Sequence, residues 1–157
     1  MKKSLLTFLP LLFCLVITFN SCNKDDVENI VENLVGKMTC KVNGNDWEAS
    51  TPAAVISSGQ FIITGKQSKK NIAINFNDTL AGDYPIISGN QNVAVYIANT
   101  DSSSTSYFLA YQGSLKITTV NLEKHKISGT FSFKGLNSTN ADTVNVTNGQ
   151  FSDINYL

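Results

Sequence analysis

The sequence predicts an all-β fold: a single antiparallel, mainly hairpin-connected β-sandwich or partly open barrel, preceded by a short tether that can form a helix. Three observations predict it. Apolar, β-branched and aromatic runs recur about every 8–12 residues beyond residue 37. Turn signals such as Asn43-Gly44, Ser58-Gly59 and Asn148-Gly149 separate the runs. No helical pattern of useful length interrupts them.

The individual strands follow from these runs. We expect strands over 38–43, 46–49, 53–57, 60–65, 71–77, 92–98, 106–112, 114–122, 126–134, 143–147 and 150–156. Ile72, Ile74 and Phe76 alternate with polar or small residues, which places one face of their strand in the core and the other in water. Leu115-x-Ile117 and Val120-x-Leu122 fall on opposite parities, which predicts a bulge near 118–119.

Three aromatic regions should build the core. The run 107–111 is apolar on both faces, so we expect it to be the most buried strand, either central or covered by the tether. Gly129 and Gly149 each precede a phenylalanine by two residues, which predicts a bend or bulge that lets Phe131 and Phe151 enter the core. Trp47 is expected to seal one end of that core.

The N-terminus has the three zones of a secretory leader. Lys2 and Lys3 precede an apolar run that ends at Phe19, and Ser21-Cys22 follows. The run is too short to span a bilayer, and Pro10 interrupts it. Residues 1–21 are therefore predicted to be a lipoprotein signal peptide, with Cys22 the lipid-bearing first residue of the mature chain, acylated by chains such as palmitate. Cleavage by an ordinary signal peptidase, with an incidental cysteine, is the less favoured alternative.

A tether over 22–36 should connect this lipid to a β domain over 37–157. Apolar residues recur at helical spacing from Val27 to Leu34, so a short amphipathic helix is expected. The segment Lys24-Asp25-Asp26 resembles the surface-export signal of Bacteroidota lipoproteins. It predicts a lipid-anchored protein of the outer membrane that faces the cell surface; a periplasm-facing position is the alternative.

Composition narrows the choice of partners. The chain has twelve Lys plus Arg and twelve acidic residues, and all twelve cations are lysine. Near-neutral charge predicts no nucleic-acid partner, and the missing arginine disfavours a phosphate site. Cys40 has no partner for a disulfide once Cys22 is acylated, so we expect a buried and inert thiol.

Short motifs at several points along the chain are similar to those of a known family. They are Val42-Asn43-Gly44 with Trp47, Gly82 with Tyr84, Ile127-Ser128-Gly129 with Phe131 and Phe133, and Gly149 with Phe151. Together they resemble a family of Bacteroidota outer-membrane lipoproteins of unknown function. The resemblance implies a compact β domain on a lipid tether, and it supplies no catalytic residues.

No motif predicts catalysis, so we expect no enzyme, no cofactor and no metal site. His125, the one histidine, lies in a charged turn, and neither zinc binding nor a serine nucleophile could rely on it alone. Asp78 and Asp83 flank an oxygen-rich loop that lacks the spacing of a calcium site. A hydrolase that uses two of the scattered carboxylates is the least favoured function.

Two kinds of surface site remain. Asp78-Thr79-Leu80 and Asp142-Thr143-Val144 resemble Bacteroidota O-glycosylation acceptors, which makes Thr79 and Thr143 candidates. The favoured function is a surface lipoprotein that binds a protein partner or has a structural role. A glycan-binding accessory protein is the alternative, and a barrel for a small hydrophobic ligand is the third. Candidate glycan-stacking residues are Trp47, Tyr84, Tyr96, Tyr107 and Tyr111.

Overall fold

A computed structural model describes residues 36–100 and 106–157. Within these ranges the chain forms ten β-strands and no helix. The strands are β1 (Lys37–Val42), β2 (Asn45–Glu48), β3 (Thr51–Ser57), β4 (Gln60–Gln67), β5 (Lys70–Phe76), β6 (Gly82–Ile87), β7 (Val93–Ile97), β8 (Tyr107–Asn121), β9 (Lys126–Leu136) and β10 (Thr143–Asn155). The described ranges hold no helix with the length and apolar character needed to cross a bilayer.

All ten strands belong to one sheet, whose main order is β2-β1-β10-β9-β8-β7-β5-β4-β3, with β6 paired to β8. Every strand pairing is antiparallel. The sheet curls into a half-barrel. The all-β, antiparallel and mainly hairpin-connected prediction is therefore confirmed, in its partly open barrel form.

The outer edge of β3 meets Tyr156 and Leu157, the two residues that follow β10. Ala54 and Tyr156 form an isolated parallel bridge, and the Ile56 N–H donates to the Leu157 carbonyl oxygen at 2.9 Å. The Tyr156 ring meets Phe61 edge-on, with 5.1 Å between ring centroids. These contacts supply hydrogen-bond partners to part of an otherwise exposed sheet edge. This limits pairing of the edge with other chains.

The inner face of the half-barrel is the core. Ile72, Ile74 and Phe76 of β5 are fully buried, as their alternation predicts. Trp47 is also buried, and its ring lies so close to Gly65 that a Cβ there would approach Trp47 Cη2 to 2.9 Å. The prediction that Trp47 packs into the core is confirmed.

Bulges shape the long strands β8, β9 and β10. The register between β8 and β9 shifts between Ile117 and Thr119, which confirms the predicted bulge. In β10 the register shifts between Val146 and Gly149, where Asn148 has a left-handed backbone with φ of 52°. The bulge expected beside Gly149 is therefore present, and the predicted break between two strands at 148–149 is wrong.

Two other boundary predictions are wrong. The sequence predicts separate strands over 106–112 and 114–122, with the glycine signal of a turn between them, but β8 runs through Gly113. Gly113 lies opposite Phe133, and only glycine fits there because an added Cβ would approach Phe133 Cβ to 2.7 Å. The sequence also predicts no strand over 82–87, where β6 forms. Its Gly82 and Pro85 disfavour a central strand, but β6 pairs with β8 alone among the described strands, and an edge position tolerates proline.

Candidate functional site

The outer side of β8 exposes large apolar side chains. Tyr107, Leu109 and Tyr111 are 57%, 53% and 40% exposed, although β8 is central in the sheet. The prediction that 107–111 is the most buried strand is therefore wrong. A central strand has hydrogen-bonded neighbours on both edges, but only one of its faces is covered by the core.

Neighbouring strands extend this surface. Leu109 lies opposite Val95 on one side and Leu136 on the other, and Leu136 is 41% exposed. Tyr107 lies opposite Ile97. We call this surface the outer apolar face; its members are Ile87, Val95, Ile97, Tyr107, Leu109, Tyr111 and Leu136.

A bulge orients one end of the outer apolar face. Between Ala110 and Gln112 the register of β8 against β9 shifts by one residue, so Tyr111 has no partner in β9. Both Tyr111 and Gln112 are exposed in consequence. The Ser88 N–H donates to the Tyr111 carbonyl oxygen at 3.2 Å, which holds the exposed Ile87 beside the bulge.

Three of the five predicted stacking residues do not present a free ring. Trp47 and Tyr96 are buried in the core, so their assignment as glycan platforms is wrong. Tyr84 is half-buried, packs on Phe76 with 4.9 Å between ring centroids, and donates its hydroxyl to the Leu80 carbonyl oxygen at 2.8 Å. Burial, with smaller contributions from the charge and hydrogen bond of Asp78, raises the pKa of Tyr84. Tyr107 and Tyr111 remain accessible for stacking.

A cavity of about 310 Å³ opens at one end of the half-barrel, beside the turn between β1 and β2. We call it the mouth cavity. Inward-facing apolar side chains form most of its wall, and polar residues form its rim. The lining residues are Val42, Asn43, Asn45, Asp46, Trp47, Lys70, Tyr96, Ala98, Phe108 and Val144.

Trp47, one of the residues that line this cavity, carries an unpartnered polar group. Its Nε1 is buried and has no hydrogen-bond partner within the described part of the chain. An unpaired buried donor costs about 1–3 kcal/mol, and a buried tryptophan N–H usually finds an acceptor. The sequence could not reveal this feature, because it depends on what β1 and β4 place around the indole.

Cys40 lies on the same inner face and is buried. It is a free thiol, and burial raises its pKa from the ordinary 9.0 to about 12. Burial, followed by the nearby Cys40, also raises the pKa of Tyr96. Because the thiolate is the reactive form, burial and the raised pKa both disfavour reactivity of Cys40 at neutral pH. The buried position is the one that the sequence predicts.

In the described ranges, His125 and the acidic residues are not grouped in a way that could hold a metal ion. His125 is exposed in the turn between β8 and β9, with a φ of 51° and its ring 5.5 Å from that of Tyr156. Among residues 36–100 and 106–157, no three His, Cys, Asp or Glu side chains are placed to hold a metal ion. The Asp78 carboxylate instead accepts hydrogen bonds from the N–H groups of Thr79 and Leu80.

The two O-glycosylation candidates differ in position. Thr79 is half-buried in the loop before β6. Thr143 is exposed at the first position of β10 and lies opposite Leu136, next to the outer apolar face. Thr143 is therefore the more accessible of the two candidates.

The lipidation residue Cys22, the export signal Lys24, Asp25 and Asp26, and the predicted tether helix lie outside the described residues. These predictions concern the chain before β1.

Fold and surfaces together define an all-β half-barrel domain with an exposed apolar face and a small cavity. Residues 36–155 match the family described as Domain of unknown function (DUF6252). The chain belongs to that family. No curated protein and no solved structure matches it.

Proposed function

We propose that this chain is a lipid-anchored, non-catalytic protein of the outer membrane, exposed at the cell surface, that binds a protein partner through the outer apolar face. The observation that carries the proposal is the exposure of Tyr107, Leu109, Tyr111 and Leu136 on one side of the sheet. Contiguous apolar surface on a folded domain commonly marks an interaction site.

The chemistry of this surface favours a protein partner. Cores of protein interfaces are rich in aromatic and aliphatic side chains and poor in charge. Val95, Leu109 and Leu136 form an uncharged row across three strands, and tyrosines flank it. Exposed charges border this surface rather than interrupt it: Lys134 lies two residues before Leu136 on β9, and the Lys116–Asp83 pair lies further along β8. The Lys41–Asp46 and Lys37–Glu48 ion pairs lie beside β1.

The anchor is supported by the sequence. The leader ends in Ser21-Cys22, and Lys24-Asp25-Asp26 follows at once. Two or more acyl chains on Cys22 would hold the domain stably, whereas one chain binds membranes only marginally. The motif resemblance to Bacteroidota lipoproteins supports the same location, and the periplasmic side of the membrane is the alternative.

Photo-crosslinking in intact cells tests the binding surface. A photoreactive amino acid replaces Leu109 in one variant and Thr130 in a matched control, which is exposed on β9 outside the outer apolar face. We expect a discrete protein adduct from position 109 and none from position 130. Absence of an adduct at 109, or the same adducts at both positions, would contradict the proposed surface.

Fractionation tests the anchor separately. A Cys22→Ser variant cannot be acylated at that position, so we expect it to leave the outer-membrane fraction. A variant that stays there would refute lipid anchoring through Cys22, whatever the crosslinking experiment gives.

Glycan binding is the second candidate, because Tyr107 and Tyr111 are exposed on the same side of β8. They are four residues apart, roughly 13 Å along a strand. A glycan array probed with the purified chain tests this function. Binding that is lost in Tyr107→Ala and Tyr111→Ala would support it, and a flat array would exclude it for the glycans presented.

A further inference from the structure

We propose that one end of the half-barrel docks onto the lipid bilayer and inserts Leu80 and Leu122 among the lipid chains. We call it the basal end; it comprises Gly36, the loop 78–81, the turn 122–125 and the residues 156–157. This docking depends on the proposed lipid anchor at Cys22 and is independent of the proposed protein partner. It specifies which surface of the domain the anchor holds against the membrane.

The strand registers bring these segments to one end of the sheet. β1 begins at Lys37, opposite Ser152 of β10, and the last residue of β10 lies opposite the first of β9. The turn 122–125, which precedes β9, is therefore at the end of the sheet at which the chain enters β1. β6 begins at Gly82, opposite Ile117, and runs antiparallel to β8, so the loop before β6 lies toward the same end.

A row of four aromatic rings supports the basal end from inside, with 5.1, 5.4 and 4.9 Å between successive centroids: Tyr156, Phe61, Phe76 and Tyr84. The hydroxyl at each end of the row bonds to a basal segment. Tyr156 donates to the Asn121 carbonyl oxygen at 3.3 Å, and Tyr84 donates to the Leu80 carbonyl oxygen at 2.8 Å. The backbone beside both leucines is therefore tied to the core.

The leucine side chains themselves point away from that core. Leu122 and Leu80 are 70% and 66% exposed, more than any other large apolar side chain in the described ranges except Leu157, which lies at the same end. Single exposed leucines are normal on soluble domains. Here the most exposed ones share the end at which the proposed anchor joins the domain, and a bilayer can take them out of water.

The charges at the basal end are mixed. Glu123 and Lys124 follow Leu122 in its turn, and the Asp78 carboxylate accepts hydrogen bonds from the N–H groups of Thr79 and Leu80. A lysine can lay its aliphatic stem along the apolar boundary while its ammonium stays in water. Because neither sign of charge dominates, docking relies on apolar insertion rather than on attraction to anionic lipids.

The length of chain before β1 favours this orientation. Residues 22–35 connect the proposed lipid to Gly36, and these fourteen residues span at most about 50 Å when fully extended. As the helix that the sequence predicts, they span only about 20 Å. β8 has 15 residues and runs about 50 Å from the basal end to Tyr107. The anchor therefore keeps the basal end nearest to the bilayer and leaves the outer apolar face accessible to a partner.

Photo-crosslinking in vesicles tests the docking. The acylated chain is reconstituted into vesicles of dioleoylphosphatidylcholine with a photoreactive amino acid at Leu122 or, as the matched control, at Leu136, an exposed leucine at the far end of β9. Removal of one leucine from water is worth about a factor of ten, so we expect about tenfold more lipid adduct from position 122. Equal lipid yields at the two positions, or only protein adducts at position 122, would overturn the docking.

A second experiment separates insertion from nearness to the bilayer. With the photoreactive residue at Leu80, Leu122→Asp places a charge at the neighbouring insertion point. We expect the lipid-adduct yield from position 80 to fall about tenfold, whereas the control Leu136→Asp leaves it unchanged. An unchanged yield in Leu122→Asp would mean that the anchor alone brings position 80 to the lipid, and it would overturn the insertion.

The intact mass of the chain distinguishes failure of the docking from failure of the anchor. An acylated chain that gives no lipid adduct at position 122 would overturn the docking and leave the anchor in place. A chain without acyl groups on Cys22 would refute the anchor and the docking together.

Discussion

The first part of β8, over 107–111, carries apolar side chains on both faces, but the two faces have opposite environments. Ala110, Leu115 and Ile117 point inward and are buried, whereas Tyr107 and Leu109 point outward and are more than half exposed. Only the inward-pointing side chains contribute to the hydrophobic core. The outer set is only about half buried in the described fold. The apolar area that stays exposed calls for an explanation outside folding, which the proposed binding surface supplies.

The largest expected effect comes from truncation of the inner face. Ile117→Ala leaves a cavity at a buried position, so we expect a loss of about 2–5 kcal/mol in the free energy of unfolding. Leu109→Ala is the matched outer control, and it should change the same quantity by no more than about 0.5 kcal/mol. Urea unfolding of both variants measures the difference, and equal losses would show that the two faces contribute alike to folding.

A smaller effect is expected where β9 passes beneath an aromatic ring. Gly129 lies opposite Phe151, and an added Cβ would approach the Lys116 carbonyl oxygen to 2.3 Å and Phe151 Cζ to 2.6 Å. Gly129→Ala should therefore cost about 1–3 kcal/mol of unfolding free energy through overpacking.

Gly82→Ala is the control for this glycine, because its new Cβ would come no closer than 3.4 Å to the Tyr84 hydroxyl. Thermal or urea unfolding should leave it close to the wild-type protein. If Gly129→Ala proves as stable as Gly82→Ala, the close packing of Gly129 against Lys116 of β8 and Phe151 of β10 is incorrect.

Alkaline pH should destabilise the protein through a buried thiol on the inner face. The folded state raises the pKa of Cys40 to about 12 from 9.0, so above pH 9 the unfolded chain releases a proton that the folded chain keeps. Stability should therefore fall between pH 9 and 12, with a slope from this thiol of at most about 1.4 kcal/mol per pH unit.

Cys40→Ala removes that part of the slope. The unfolding free energy of Cys40→Ala should still fall somewhat with rising pH, because the pKa values of Tyr84 and Tyr96 are also raised. Unfolding free energies measured across this range check the prediction, and an unchanged slope in Cys40→Ala would show that the thiol is not protected from ionisation by the fold.

The sequence predicts most of the fold because apolar residues at every second position of a strand show which face of that strand is buried. Ile72, Ile74 and Phe76 are buried as their spacing requires, and the parity change after Ile117 locates a real bulge. Predictions fail where glycine and asparagine act inside strands. Gly113 and Asn148 look like turn residues, but a neighbouring phenylalanine or a bulge gives them a place within β8 and β10.

The candidate surfaces are less predictable. In the run from Tyr107 to Tyr111 both parities are apolar, so periodicity cannot tell which face the core covers. The unpaired indole of Trp47 likewise depends on long-range packing. The buried state of Cys40 is predictable because polar residues flank it on both sides.

The most direct test of the claim that the outer apolar face serves binding rather than folding is a double variant, Leu109→Ser with Leu136→Ser. Both side chains are exposed and lie opposite each other. The unfolding free energy is measured on the purified variant, and the crosslinking yield is measured in cells from a photoreactive residue at Tyr111. We predict a stability change within about 1 kcal/mol and loss of the protein adduct that the otherwise wild-type chain gives. A loss of several kcal/mol, or an undiminished adduct, would contradict the account.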